Sequence, residues 1–544
     1  MPGVVPSRVE RVESTVRRQP LNQFATKGRR AAGGPAVNIP AVPLSPAHFI
    51  RSFLTLSAAQ GLTWLGGAAM AVFLPRYLGD ANLGKIAFAL AFTSLIGLVA
   101  DLGTATFLTR EVARAPERVL ALTTNTLVIR LSLGAVAVSV AIVTINSTPY
   151  DTLSRQVVYV MSAGIVVVSL SSAVVAALQG LQRIKSLALF SIATKLGYAA
   201  LALMVLFAGA GPLEVAGAWV ISQTIGLVLV TALLAQALGR WPRPSPDPRT
   251  MRLLVLGGLP FFMWQAALLV YGQVDAVLLS FLTQDAVVGW YSAAYRIVTI
   301  PLFLPTIIMT VIFPALAAAS HRGEEFNAIA RRAIQVVLLP SIPMVLGIML
   351  LADKLIGFMG YPESFGHSVL PMVLLAPHII LVGVNMVIGT VLQTRERQRG
   401  WALAAIVAAI LNPALNFVAI TYSQGVFGNG AIGASVITTL TEVFMLGAGL
   451  SLLPRGVFGL STIKDASRCL LAGVAMTGVV VAGRELPLPA VVAAGGAVYG
   501  LACLALGAVS LRELGQVVHH VVQRSDAEPI RSVELSATSS GTLS

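Results

Sequence analysis

Six ionisable side chains fall inside long apolar runs of this 544-residue chain: Arg130, Lys195, Arg296, Asp101, Asp275 and Glu442. A charge at the centre of a membrane-spanning helix costs about 2.5–3.5 kcal/mol on insertion scales, so such groups pair, snorkel to the interface or line a wet cavity. A cavity-facing cation binds anions, and a guanidinium offers two parallel donors that match phosphate oxygens. An acid held at the midplane exchanges protons and so can couple transport to an ion. Arg296, Lys195 and Arg130 are therefore candidate ligands for an anionic substrate, and Glu442, Asp275 and Asp101 are candidate ion-coupling groups. No residue reads as catalytic, and neither a metal nor another cofactor is called for. The adjacent His519 and His520 point about 100° apart on a helix, which is poor geometry for chelation.

Depth separates the candidates. Counted from a loop tip at Asp285, Arg296 lies about 16 Å into a hydrocarbon core about 30 Å thick. Asp275 lies at a similar depth on the other arm of the same hairpin. Two readings stay open: a guanidinium free for a substrate, or one held by Asp275. Lys195 and Arg130 stand nearer the ends of their helices, where long side chains can reach the interface. Glu442 is near the middle of its run. Asp101 opens Asp-Leu-Gly-Thr (101–104), a sequence suited to capping or breaking a helix. Asn385, Asn412 and Asn416 read as bonds between helices.

The elements that must position these groups are transmembrane helices. Hydrophobic residues make up 56% of the chain and charged residues 11%, against about 25% charged in soluble domains. Mean hydropathy is +0.83. About fourteen stretches reach the roughly 20 apolar residues a spanning helix needs. They fall at 52–74, 86–109, 120–145, 156–179, 188–209 and 213–237, then 253–281, 287–316, 331–352, 369–392, 401–422 and 431–453, and finally 466–483 and 488–510. With the N-terminus inside, 29 of the 37 Lys and Arg residues fall in segments on the inner side and five on the other. That bias predicts both termini in the cytoplasm. The expected organisation is a basic disordered tail (1–48), a six-helix lobe (49–238), a polar linker (239–252), a second six-helix lobe (253–455), two further helices (456–510) and a cytoplasmic tail (511–544). The stretch 511–524 is amphipathic and suits a membrane surface.

The net charge of +14 is scattered through loops, which fits membrane topology and lipid headgroups rather than nucleic acid. Cys469 and Cys503 lie in apolar runs and read as small buried hydrophobes. Prolines and glycines crowd the second half: Gly257, Gly258, Pro260, Pro301, Pro305, Pro340, Pro343, Pro371 and Pro377. Each proline removes a backbone donor and bends its helix. A faint repeat relates YLGDANLGKIAFAL (77–90) to FLTQDAVVGWYSAA (281–294). Each has an acid before a glycine that opens the next helix. Parallel six-helix repeats with a cavity between them near the midplane are a transporter plan.

The segment YLGDANLGKIAFALAFTSLIGLVADLGTATFLTREVAR (77–114) resembles the first-hairpin signature of polysaccharide flippases. VDAVLLSFLTQDAVVGWYSAAYRIVTIPLFLPTIIMTVIFPALA (274–317) resembles their second-repeat signature. The resemblance is to the polysaccharide transporter branch of the multidrug/oligosaccharidyl-lipid/polysaccharide superfamily. It implies an all-α membrane protein of two six-helix lobes. It also implies a bacterial cytoplasmic-membrane flippase that moves an undecaprenyl-diphosphate-linked oligosaccharide, in company with membrane lipids and polysaccharide polymerase machinery. Alternatives within the superfamily are a lipid II flippase, which also carries two extra helices, and a multidrug or cation extruder. The first helix, 52–74, lacks the acids an extruder of cations would want. A membrane enzyme acting on lipid-linked sugars would need carboxylates on a substantial loop. The longest outer loop, 353–368, holds only Asp353 and Glu363.

Overall fold

The computed structural model describes residues 46–239, 246–454 and 456–508. Residues 1–45 and 509–544, with the stretch 511–524 and His519 and His520, lie outside the described residues, as do residues 240–245 of the linker. Among the described residues every regular element is a helix. The first, α1 (Pro46–Asp101), has 56 residues and would be about 84 Å long if straight, far more than one bilayer crossing. It is broken at Gly79, whose φ of 74° and ψ of 177° suit a residue without a Cβ. The second crossing continues past a break at Leu102 and Gly103 into α2 (Thr104–Arg114). Then follow α3 (Val119–Asn146), α4 (Thr152–Gly180), α5 (Ile184–Phe207) and α6 (Pro212–Leu238). The linker leads to α7 (Pro248–Leu282). The eighth crossing is α8 (Asp285–Thr299) and α9 (Phe303–Ala318), divided by a 3-10 turn at Pro301. After α10 (Gly323–Phe358), the tenth crossing is α11 (Val369–Leu375) and α12 (His378–Thr394). It is interrupted at Ala376 and Pro377. Then come α13 (Gln398–Phe427), α14 (Gly430–Leu452), α15 (Leu460–Ala482) and α16 (Leu488–Ala505). Among the described residues thirteen stretches are long and apolar enough to span a membrane; the first, Ala59–Asp101, contains the Gly79 break and so supplies two crossings.

Small side chains let these helices approach closely, which drives packing where lipid is as apolar as leucine. Ala89, Ala100, Ala141, Ala202, Ala216, Ala431 and Ala434 are completely buried. In the first bundle α4 and α5 both pack on α6, and α3 packs on α4; in the second, α13 packs on α14 and α12 lies against α10 and α14. The last pair docks on α10 where prolines bend it. Pro343 has no N–H to give the Leu339 carbonyl, and Tyr499 Oη of α16 donates to that carbonyl at 2.7 Å instead. Arg484 meets Asp353 at 2.8 Å farther along. Cys469 and Cys503 are free thiols buried in this interface. Leu470, Val474, Val481 and Leu501 project outward from the pair, as side chains do that contact hydrocarbon. We call the membrane face that carries the 239–252 linker the linker face and the other the far face.

Candidate functional site

The candidate charges separate into three environments. Arg130, on α3, is completely buried. Its Nη2 meets Asp101 Oδ1 at 2.5 Å, its Nη1 reaches the Ser169 carbonyl and Ser172 Oγ at 2.6 Å each, and its Nε bonds Thr104 Oγ1 at 3.1 Å. Asp101 Oδ1 also accepts the backbone N–H of Ala105 at the start of α2. The break at 101–104 thus forms a cradle that holds a guanidinium between α2, α3 and α4. Arg130, expected as a substrate ligand, and Asp101, expected as an ion-coupling acid, are thus held by each other, with the donors and the shared carboxylate oxygen engaged. Nor does Arg130 snorkel. Removing one member of a buried pair leaves the other uncompensated, at about 3–5 kcal/mol. Arg130→Met should therefore lower the melting temperature of the purified protein sharply, and Arg130→Met with Asp101→Leu should recover part of the loss. A single variant as stable as wild type would show the pair to be dispensable.

Asp275 and Glu442 lie in the second bundle, each about 5% exposed. Asp275, on α7, accepts hydrogen bonds from Tyr291 Oη of α8, Thr438 Oγ1 of α14 and Asn416 Nδ2 of α13, at 2.7–2.8 Å. Asn416 also donates to Asn412, which bonds Thr441. The asparagines do link helices. Glu442, on α14, accepts from Tyr271 Oη of α7 and from Asn385 Nδ2 of α12. Asp275 is not paired with Arg296: its oxygens are occupied by neutral donors.

Arg296 is half-buried on α8 and forms no side-chain hydrogen bond or ion pair with any described residue. The helix that carries it, α8, packs on α1 of the first bundle, as does Tyr361 in the loop after α10. Tyr361 Oη in turn donates to the Ala71 carbonyl of α1. Lys195 is exposed on α5 one turn before Tyr198. Residues three apart share a helix face, so Lys195 and Tyr198 lie on one side of α5. Toward the linker face the bundles touch through Trp64 and Phe303, with ring centroids 5.9 Å apart. They touch again where Gly103 lies on the Gly258 carbonyl.

The far face is closed by a reciprocal contact that sequence reasoning missed. A Cβ on Gly84 would fall 1.9 Å from the Asp285 carbonyl oxygen, and one on Gly289 would fall 2.0 Å from that of Asp80. Lys85 Nζ bonds Asp285 Oδ2 at 2.6 Å, and Trp290 Nε1 bonds Asp80 Oδ2 at 2.9 Å. Each residue of one hairpin is matched by its counterpart about 205 positions on, so the faint repeat is a two-fold relation in space. The repeated acid and glycine were the available signal. Lys85 also binds Asp151 at 2.8 Å and Ser154 Oγ at 2.9 Å. Phe88 and Tyr150 stack beneath, Phe281 meets Phe88 edge-on, and Tyr150 Oη meets Ser280 Oγ at 2.7 Å.

Asp151 stands in the loop before α4. Burial opposes its charge, but hydrogen bonds from Lys85 and Ser154 outweigh this and hold its carboxyl below the usual carboxylate range. A depressed carboxyl contributes stability above its ordinary range and loses it as pH falls through the depressed value. Acidification should therefore loosen the far-face closure. The check is labelling of a cysteine at the buried Val287 in a protein with Cys469 and Cys503 replaced by Ala. Labelling should rise at low pH, and Asp151→Asn should flatten that rise. An unchanged profile in Asp151→Asn would remove Asp151 from the closure.

The model of the polysaccharide biosynthesis protein family matches residues 49–320, half of the chain. Among solved structures the chain is similar to "Lipid II flippase MurJ, inward closed conformation". The identity is 14% and the TM-score 0.68, over 86% of this chain and 99% of that one. It is also similar to an inward-facing conformation of a multidrug resistance MATE family transporter of the MOP superfamily. There the identity is 16% and the TM-score 0.56, over 74% of this chain and 98% of the other. No curated protein matches the sequence. At such identities the structural likeness is one of fold: an all-helical architecture of many long apolar helices. The chain is a multi-pass membrane protein that belongs to the polysaccharide biosynthesis protein family.

Proposed function

We propose that this protein is a flippase, and not an enzyme, that moves a polyprenyl-diphosphate-linked oligosaccharide across the bacterial cytoplasmic membrane by alternating access. In bacteria the carrier would be undecaprenyl diphosphate, and the product would feed cell-surface polysaccharide synthesis. One observation carries the reading: the Arg296 guanidinium, half-buried on the eighth crossing, forms no side-chain hydrogen bond or ion pair with any described residue. A diphosphate moving through a low-dielectric gap needs such a charge, and the fork of an arginine matches its oxygens. Lys195, exposed on α5, would add a second cation. An organic cation would be repelled there. The linker face carries most of the basic residues and so is cytoplasmic, with both termini inside. Substrate enters from that side while Lys85, Asp285, Asp80 and Trp290 keep the far face shut. Polysaccharide polymerase machinery would receive the glycan outside. Asp275 and Glu442 are the acids available for ion coupling.

A second reading, lipid II transport, is favoured by the docked pair α15 and α16, since the similar lipid II flippase structure covers 86% of this chain and the multidrug transporter structure 74%. Depletion of the protein in its host separates the two. The first reading requires lipid-linked polysaccharide units to accumulate on the cytoplasmic leaflet while peptidoglycan precursors stay level. Accumulation of lipid II instead would replace it with the second.

A further inference from the structure

Glu442 and His378 face each other without touching. Both side chains are 6% exposed, and His378 Nδ1 lies 4.0 Å from Glu442 Oε1. That nitrogen is sealed from solvent and has no hydrogen-bond partner, whereas both carboxylate oxygens accept, one from Tyr271 and one from Asn385. The polar groups around the pair are Tyr271 and Asp275 on α7, Tyr291 and Tyr295 on α8, Asn385 on α12, Asn412 and Asn416 on α13, and Thr438 and Thr441 on α14. The Tyr295 ring is 6.0 Å from the imidazole and 5.9 Å from that of Tyr291, which bonds Asp275. Among the described residues no lysine or arginine is bonded to any of them. A deprotonated pair would leave a bare negative charge in a low-dielectric bundle, which is costly. One proton, on either member, removes it.

We propose that Glu442 and His378 together hold one exchangeable proton, and that its arrival on the imidazole draws the start of α12 toward α14. With the proton on Nδ1 the imidazolium donates to Oε1, and a charge-assisted bond requires the 4.0 Å gap to shorten to about 2.8 Å. The fold permits this motion. His378 is the first residue of α12, directly behind the interruption at Ala376 and Pro377, where the proline already lacks a backbone donor. The motion also reaches the crossing that carries Arg296. Tyr295, its neighbour in sequence, lies against the imidazole, and α12 packs on α9, where a Cβ on Gly383 would lie 3.3 Å from Pro305. The link to a diphosphate substrate rests on the flippase reading; the proton site itself does not.

The test uses the full-length protein in lipid nanodiscs, without glycan, with Cys469 and Cys503 replaced by Ala. Spin labels on cysteines at Leu381 of α12 and Val443 of α14 report the distance between the helices across a pH series. The distance should shorten as pH falls, and the change should vanish in His378→Gln and in Glu442→Gln, each checked for monodispersity and thermal unfolding. Should Glu442→Gln fail to fold, His378→Asn serves as the second removal. A pH-independent distance in the parent protein overturns the proposal. So does an unchanged pH profile in a folded variant, or a distance that follows sodium concentration at fixed pH. Because no glycan is present, such a failure leaves the flippase reading standing, and a failure of glycan transport leaves the proton site standing.

Discussion

Arg296→Ala should reduce glycan export about 10- to 100-fold, the equivalent of one strong charge-assisted contact of about 1.5–3 kcal/mol, and leave the protein folded and inserted. The second half of that expectation follows from geometry. Arg296 makes no side-chain bond to any described residue, so its removal strands no partner. Arg130→Met, by contrast, strands Asp101 and should fail through stability. Arg296→Lys keeps the charge but loses the planar fork and should fall between wild type and Ala. Surface glycan, normalised to the amount of membrane-inserted protein, measures this. Export by Arg296→Ala at the wild-type level would mean that the guanidinium does not meet the substrate.

The second large effect lies at the far face. Gly84→Val and Gly289→Val should each hold that face open and reduce export at least tenfold. The new Cβ would have to occupy space 1.9–2.0 Å from a backbone oxygen, and a backbone, unlike the end of a flexible side chain, cannot swing aside. Closure, and the network around Lys85 that depends on it, is blocked whichever hairpin carries the substitution. The matching phenotype of the two variants is the specific expectation, since one two-fold contact is broken from either side. A cysteine at Val287 should become readily labelled in both. Gly217→Ala, where a Cβ meets nothing within 4 Å, is the control and should behave as wild type. Normal export and an unlabelled Val287 position in either valine variant would show that the closure tolerates widening.

The crossings were legible because a span is a local property: about 20 apolar residues between polar ends, with basic residues alternating by side. The break at 101–104 was legible for the same reason. The partner of Arg130 was within reach of depth counting, since Asp101 and Arg130 lie on consecutive antiparallel crossings near the same face, but the sequence treats the two as separate charges. Asp275 and Arg296 share a hairpin and a depth, which left a pair open as a reading. Helix rotation decides the matter, and rotation is set by Tyr291, Thr438 and Asn416, drawn from three helices. His378 gave no signal, because a histidine in an apolar run reveals neither its neighbour across the bundle nor the acid it faces. The acid and glycine of the two hairpins were visible as a repeat. That they bind each other follows only from the two-fold relation between bundles, which no local pattern encodes.

The most direct test of the account is translocation by the purified protein in liposomes. The substrate is a fluorescent polyprenyl-diphosphate-linked oligosaccharide, scored by its protection from a membrane-impermeant quencher. The account predicts that wild-type protein speeds its movement between leaflets well above that in empty liposomes, and that Arg296→Ala does not. Movement no faster than in empty liposomes, or equal acceleration by Arg296→Ala, would contradict it.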